Sequence, residues 1–271
     1  MSKKGAYMFL EPLDLAKMYK EHKSRSTYQN KKSDHWDKRS AEMAPRMQGS
    51  SYVDEFLSQM DLRGDEVVLD VGCGPGTLAI PLAKRVKKVI AVDFSQSMLD
   101  LLSEYASREG VSNIETHLLS WDDSWESLPQ VDVVVASRSM EVADLHATLQ
   151  KLNHHAKKAC YVTFKVGGSF VDEQILEFVG KEIVTKPDYW YIPLLLYKMG
   201  YLAEVSYLGA EAGSLRYSSE EAFVNSLVWS LDSLSEEQKQ KAREFYCSFV
   251  ECGKFEPKPT VWAMIKWRVE K

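Results

Sequence analysis

The chain has 271 residues, 45% hydrophobic and 27% charged, with a formal net charge of −5. That suits one core with elaborations, and a negative mean hydropathy with no long uncharged apolar run excludes a transmembrane helix. No apolar signal region follows Met1-Ser2-Lys3-Lys4-Gly5, and Cys73, Cys160, Cys247 and Cys252 lack C-x-x-C spacing. Reduced thiols in a cytoplasmic protein are therefore expected, with neither a disulfide frame nor a zinc site.

Residues 1–40 hold ten Lys/Arg against five Asp/Glu. This reads as a solvated helical face, or else as a basic lid over an anionic substrate or a nucleic-acid arm. Tyr7, Phe9, Leu10, Leu13, Leu15 and Tyr19 recur near helical spacing, a polar stretch containing Tyr28 follows, and His35-Trp36-Asp37-Lys38-Arg39 opens another helical piece. Ser51 answered by Asp54 has capping-box spacing and starts a further helix. Residues 1–60 are thus expected to form a helical cap.

Val67-Val68-Leu69-Asp70-Val71-Gly72-Cys73-Gly74-Pro75-Gly76-Thr77 reads as a buried parallel strand breaking into a glycine loop, with a helix from Leu78. Glycines allow close backbone approach to a ligand, and the helix start leaves N–H groups unpaired. The spacing is not G-x-G-x-x-G, because Thr77 occupies the third glycine position, and no Gly-Lys-Ser/Thr triplet marks a Walker loop. An acid two residues ahead of G-x-G-x-G resembles motif I of the class I S-adenosylmethionine (SAM)-dependent methyltransferases. The resemblance implies SAM as cofactor, held by Asp70, Gly72, Cys73, Gly74 and Gly76. It also implies an α/β fold: a seven-stranded, mostly parallel, doubly wound sheet whose last strand is antiparallel.

The remaining elements follow in that order. Val89-Ile90-Ala91-Val92-Asp93 is a second buried strand ending in an acid seventeen residues past Gly76. In the family an acid here accepts hydrogen bonds from both ribose hydroxyls, so Asp93 takes that role. Phe94 and Met98, leading into the next helix with Ser95 as N-cap, are candidates for the adenine pocket or for ordinary core packing. Asn113 to Ser120 is a third strand, followed by Trp121 and Asp122, either of which is a candidate reader of adenine; Trp125 reads as structural. The fourth strand, Val131 to Ser137, emerges at Ser137-Arg138-Ser139-Met140, where methyltransferases place groups facing the methyl. Neither an Asn/Asp-Pro-Pro-Tyr/Phe motif nor a Pro-Cys nucleophile stands there. Ser137 is assigned to the cofactor, and Arg138 to a substrate anion, the cofactor carboxylate or a surface ion pair.

Val142 to Leu152 reads as a helix, and the His154-His155 pair has no acid or cysteine at ligand spacing, so no metal is expected. Ala159 to Val166 is a fifth strand with Cys160 as an inert core thiol, and Val171 to Ile183 a helix. Tyr189-Trp190-Tyr191, between Pro187 and Pro193, suggests an aromatic wall for substrate or a plug beneath the helix at Leu194–Met199. With Tyr28 and Trp36, Tyr189 and Tyr191 complete the candidate substrate residues. Tyr201 to Gly209 alternates as a sixth strand, and its hairpin partner, Thr260 to Trp267, arrives about fifty residues later. Between them, Ser218 with Glu221 and Ser235 with Gln238 start two helices, giving an insertion over about 212–256 within a domain of 61–271.

A small-molecule methyltransferase is favoured by two aromatic-lined helical caps. An RNA or protein methyltransferase, and a SAM-binding protein without transfer activity, stay open. No residue is singled out as a base by its spacing; Glu141, His146 and Tyr28 are the candidates.

Overall fold

The computed structural model describes residues 12–28, 33–34, 36–37, 51–209, 217 and 219–269. Seven strands form one sheet: β1 Val67–Val71, β2 Lys88–Asp93, β3 Ile114–Leu118, β4 Val131–Ala136, β5 Ala156–Lys165, β6 Ala203–Leu208 and β7 Trp262–Arg268. Their order is β3-β2-β1-β4-β5-β7-β6, with β7 antiparallel to both neighbours. The central strands are apolar along almost their whole length, as strands covered on both faces must be.

Each face carries its own apolar layer. Helices α1 Leu15–Arg25, α5 Leu145–His155 and α7 Tyr191–Met199 cover one face through Leu15, Tyr19, Leu149, Leu152, Ile192 and Leu196. Helices α2 Ser51–Ser58, α3 Ala79–Ala83 and α4 Gln96–Arg108 cover the other through Phe56, Leu82 and Leu102. A third cluster lies outside the sheet. Helices α6 Glu173–Val179, α8 Glu220–Leu231 and α9 Glu236–Phe245 close over Phe223, Leu227, Ile175 and Phe245, and Tyr28 is buried with them. The inserted pair therefore has a core of its own, into which the N-terminal segment is tied. Among the described residues no helix is long and apolar enough to cross a membrane.

Boundaries differ from the sequence reading for local reasons. Helix α3 ends at Ala83 instead of continuing to Lys87, and Asp144 caps α5, which starts three residues later than expected and runs on to His155. Helix α6 stops at Gly180, which is left-handed with φ of 70°. Helix α7 begins at Tyr191, three residues before the expected Leu194. Ser219, not Ser218, caps α8; Ser218 lies outside the described residues. The reciprocal capping box of Ser235 and Gln238 is present, but α9 passes at Tyr246 into a π-helical turn ending at Val250 instead of running to Gly253. Helix α2 is already helical at Ser51, so Ser51 is not the N-cap its capping-box spacing suggests; Tyr7, Phe9, Leu10, His35, Lys38 and Arg39 lie outside the described residues.

Candidate functional site

The carboxyl ends of β1, β2, β4 and β5 meet in a single cluster of polar groups. At the β1 exit the backbone turns sharply: Gly72 has φ of 69°, and the N–H groups of Gly72 and Cys73 both donate to Val92 O, at 2.7 and 3.0 Å. A Cβ on Gly72 would stand 2.3 Å from that of Ser139, so the β4 exit loop lies directly on this glycine. Ser139 Oγ donates to Val71 O at 2.7 Å, pinning the two loops together. Gly74 is the opposite case: it has φ of 53°, and nothing lies within 4 Å of where a Cβ would be. Cys73 is buried with the α2–α4 layer, its thiol 3.5 Å from Gly74 O, and burial pushes its pKa up.

Two carboxylates flank the turn. Asp93 accepts from Gly74 N at 2.8 Å and from Ser95 N at 3.0 Å, one bond on each oxygen. Each oxygen keeps capacity for a further donor. Burial raises the Asp93 pKa, against the pull of these backbone bonds. Asp70 is 1% exposed and takes a backbone bond from Ala79 at the start of α3. Its Oδ2 has no hydrogen-bond partner among the described residues. Burial first, and the nearby Asp93 charge second, push its pKa up to about 7. A buried acceptor with no donor is costly, and two residues before the glycine turn it is what a cationic or donor-rich ligand would complete.

Beyond Asp93, Ser95 caps α4, and its hydroxyl donates to Asp37 Oδ1 at 2.5 Å; Ser97 Oγ reaches the same oxygen at 2.7 Å. These bonds hold the Asp37 pKa down. The neighbouring Trp36 meets Trp229 of α8 edge-on at 6.1 Å. The N-terminal segment thus bridges the second strand's end and the insertion. Phe94 is 38% exposed, whereas Met98 is buried in the first turn of α4. The Trp121 indole donates to Ser139 O at 3.0 Å and packs 5.2 Å from Trp125, which places it beside the β1–β4 junction. The Asp122 side chain is exposed.

At the β4 exit, Tyr52 of α2 is the keystone. Its hydroxyl bonds Ser137 Oγ at 2.6 Å and Thr163 Oγ1 at 2.8 Å, and Arg138 N donates to the same Thr163 oxygen at 2.9 Å. Arg138 takes φ of 57°, rare for a side-chain-bearing residue, and its guanidinium stacks 4.4 Å over the Tyr52 ring. Burial raises the Tyr52 pKa, with Arg138 opposing.

The aromatic stretch divides. Tyr189 bonds Tyr207 of β6 through its hydroxyl at 2.5 Å. Tyr191 is 3% exposed and edge-on to Tyr19 at 5.4 Å, so the structure puts it in the sheet core instead of on a substrate wall. Tyr28, also expected at the substrate, is buried in the third cluster with its hydroxyl 2.6 Å from Ser169 Oγ. Of the candidate bases, Glu141 is paired with Lys186 at 2.5 Å. Cys160 is fully buried, and both His155 ring nitrogens lie at backbone carbonyls. Sequence spacing did not single out Tyr52, Thr163, Ser139, Asp37, Lys165 or Lys186. Only Ser139, two residues past Ser137 at a strand exit, carried a readable signal.

A family model described as a methyltransferase domain matches residues 68–159. An uncharacterized protein of Haemophilus influenzae is 36% identical over 269 residues, 97% of this chain and all of the relative. Partial matches include a probable ribosomal RNA small subunit methyltransferase A of Methanosphaera stadtmanae, 32% identical over 38% of this chain and 37% of the relative. A ubiquinone biosynthesis O-methyltransferase of Acinetobacter baylyi is 30% identical over 44% of this chain and 46% of that one. Among solved structures, coclaurine N-methyltransferase bound to N-methylheliamine and S-adenosylhomocysteine (SAH) shares the fold. Its TM-score is 0.55 at 16% identity, covering 96% of this chain and 88% of that one. The open Gly74 cradle, the unsatisfied Asp70 oxygen and the half-used Asp93 carboxylate fit a nucleoside carrying cationic groups. With the matching domain and the strand order, they show that the chain carries a SAM-dependent methyltransferase domain over residues 68–159.

Proposed function

We propose that this enzyme methylates a small-molecule acceptor held between the sheet edge, the N-terminal segment and the helical insertion. One observation carries this reading: Asp37 and Trp36 link the hydroxyls of Ser95 and Ser97, just past Asp93, to Trp229 of the insertion. A bridge of that kind favours a compact acceptor over a polymer that would need an open groove. The absence of Asn/Asp-Pro-Pro and Pro-Cys motifs at Ser137-Arg138-Ser139-Met140 points the same way.

Bound SAM supplies an electrophilic methyl on a positively charged sulfur. Asp93 and the Gly72–Gly76 turn are suited to hold the nucleoside, with Phe94, Met98, Trp121 and Asp122 proposed for its adenine end. Asp70 offers its free oxygen to a donor group of the cofactor. Arg138, fixed by Thr163 and Tyr52, sits at the exit where the acceptor meets the methyl. With donor and acceptor held in line, positioning is the main contribution asked of the protein.

The test is transfer from isotopically labelled SAM into a cell extract separated into small molecules, RNA and protein. Label in the small-molecule fraction supports the proposal, label in RNA or protein replaces it, and no transfer despite SAH binding makes the chain a binding protein.

A further inference from the structure

Three cations stand along one aromatic wall that begins at the β4 exit. Arg138 stacks on Tyr52, and Tyr52 meets Trp262 at 6.3 Å. Trp262 in turn meets Phe170 at 6.3 Å. The Lys165 ammonium lies 5.2 Å from the Phe170 ring centre, and that of Lys186 lies 4.4 Å from the same ring and 5.1 Å from Tyr28. Lys165 and Trp262 are directly paired across β5 and β7, so their side chains share a sheet face, and Thr163 shares it two residues back. Backbone bonding of Lys186 N to Gly168 O at 2.9 Å holds the second lysine beside the β5 exit. Lys23 joins them from α1, which docks on residue 185 through His22 Nε2 and Thr185 O at 3.1 Å.

Two acids face these cations. Glu141 pairs with Lys186, and Asp188 uses both oxygens on the N–H groups of Gly167 and Tyr189. Burial lowers the pKa values of Lys23 and Lys165; the Lys186 charge pushes both further down, while Glu141 pulls both up and Asp188 adds to that pull at Lys165. Confining like charges in partly buried space is unfavourable unless an anion joins them. Phe170, at 46% exposed, leaves the wall open to a ligand.

We propose that the methyl acceptor carries a carboxylate or phosphate, seated against Lys165 and Lys186 with its apolar body along Phe170 and Trp262. This rests on the small-molecule reading above and names its chemistry: the anion anchors the end remote from the methyl, and Arg138 borders the reacting end.

The test is a ligand-observed NMR titration of the SAH-saturated protein with four probes of similar shape: benzoate, phenyl phosphate, benzyl alcohol and benzylamine. One or both anions should bind, and whichever binds better distinguishes carboxylate from phosphate. Lys165→Met and Lys186→Met should each weaken that probe about tenfold or more, while SAH affinity stays within about twofold. Lys165→Met leaves the Lys186–Glu141 pair intact and so keeps the test valid should the other variant fold poorly. Benzyl alcohol or benzylamine binding as well as the anions, failure of both anions to bind, or anion binding indifferent to Lys165→Met overturns the inference. Any of these results leaves the small-molecule proposal standing; that proposal falls only if label from SAM enters RNA or protein, or is not transferred at all.

Discussion

Asp93 and Asp70 show how two buried acids a few ångströms from one loop acquire different duties. Asp93 has each oxygen already anchored by one backbone N–H, so its remaining capacity points at whatever lies beyond the turn. Charge-assisted bonds of that kind contribute about 1.5–3 kcal/mol each. Asp93→Asn should therefore weaken SAH binding about a hundredfold by calorimetry, with little change in thermal stability because one anchoring acceptor survives. Asp70 has a folded pKa of about 7 against an ordinary 3.8, so folding takes up a proton between those values. The ligand-free protein consequently loses stability as pH rises from about 4 to about 7, and Asp93, raised in the same direction, adds to the loss. A cationic ligand prefers the ionised acid, so SAM affinity should increase as pH climbs through about 7. Melting temperature and calorimetric Kd measured across that range check both slopes, and Asp70→Asn should flatten them.

At the scale of the element, the glycine turn separates fold from ligand. Gly72→Ala drives a methyl into Ser139 at a left-handed position, and about 2 kcal/mol or more of stability should be lost. Gly74→Ala meets only open space, so the fold should lose about 1 kcal/mol from backbone strain alone while SAH binding drops sharply. Comparing melting temperature with SAH affinity in the two variants distinguishes the roles. Helix α2 contributes through one hydroxyl: Tyr52→Phe keeps the ring under Arg138 but frees Ser137 and Thr163, which should cost about 1–2 kcal/mol in chemical denaturation. These elements were unequally legible in the chain. The β1–loop–α3 unit and the β2 acid are written locally, because a buried strand and a close ligand approach each demand particular residues at fixed spacing. Tyr52 was not legible: its partners Ser137 and Thr163 lie 85 and 111 residues away, and nothing near Tyr52 signals them. Tyr191 misled for the same reason, since an aromatic beside prolines reads alike whether it faces a ligand or Tyr19.

For the whole molecule, the third apolar cluster makes the insertion a semi-independent unit resting on α6 and Tyr28. Phe223 is fully buried at its centre, and Phe→Ala changes at such sites cost about 3–5 kcal/mol. In Phe223→Ala, amide exchange should rise across Glu220–Phe245 while the sheet remains protected and SAH still binds, because the sheet layers do not depend on that ring. The strand order carries another consequence. β7 is synthesised after every other strand, yet it lies between β5 and β6. Until it has left the ribosome, those two strands must wait with a strip of unmatched backbone between them, a template open to neighbouring nascent chains. The helices of the insertion emerge during that interval and pack onto α6, away from the strands, so the insertion can close its own core before the sheet is whole.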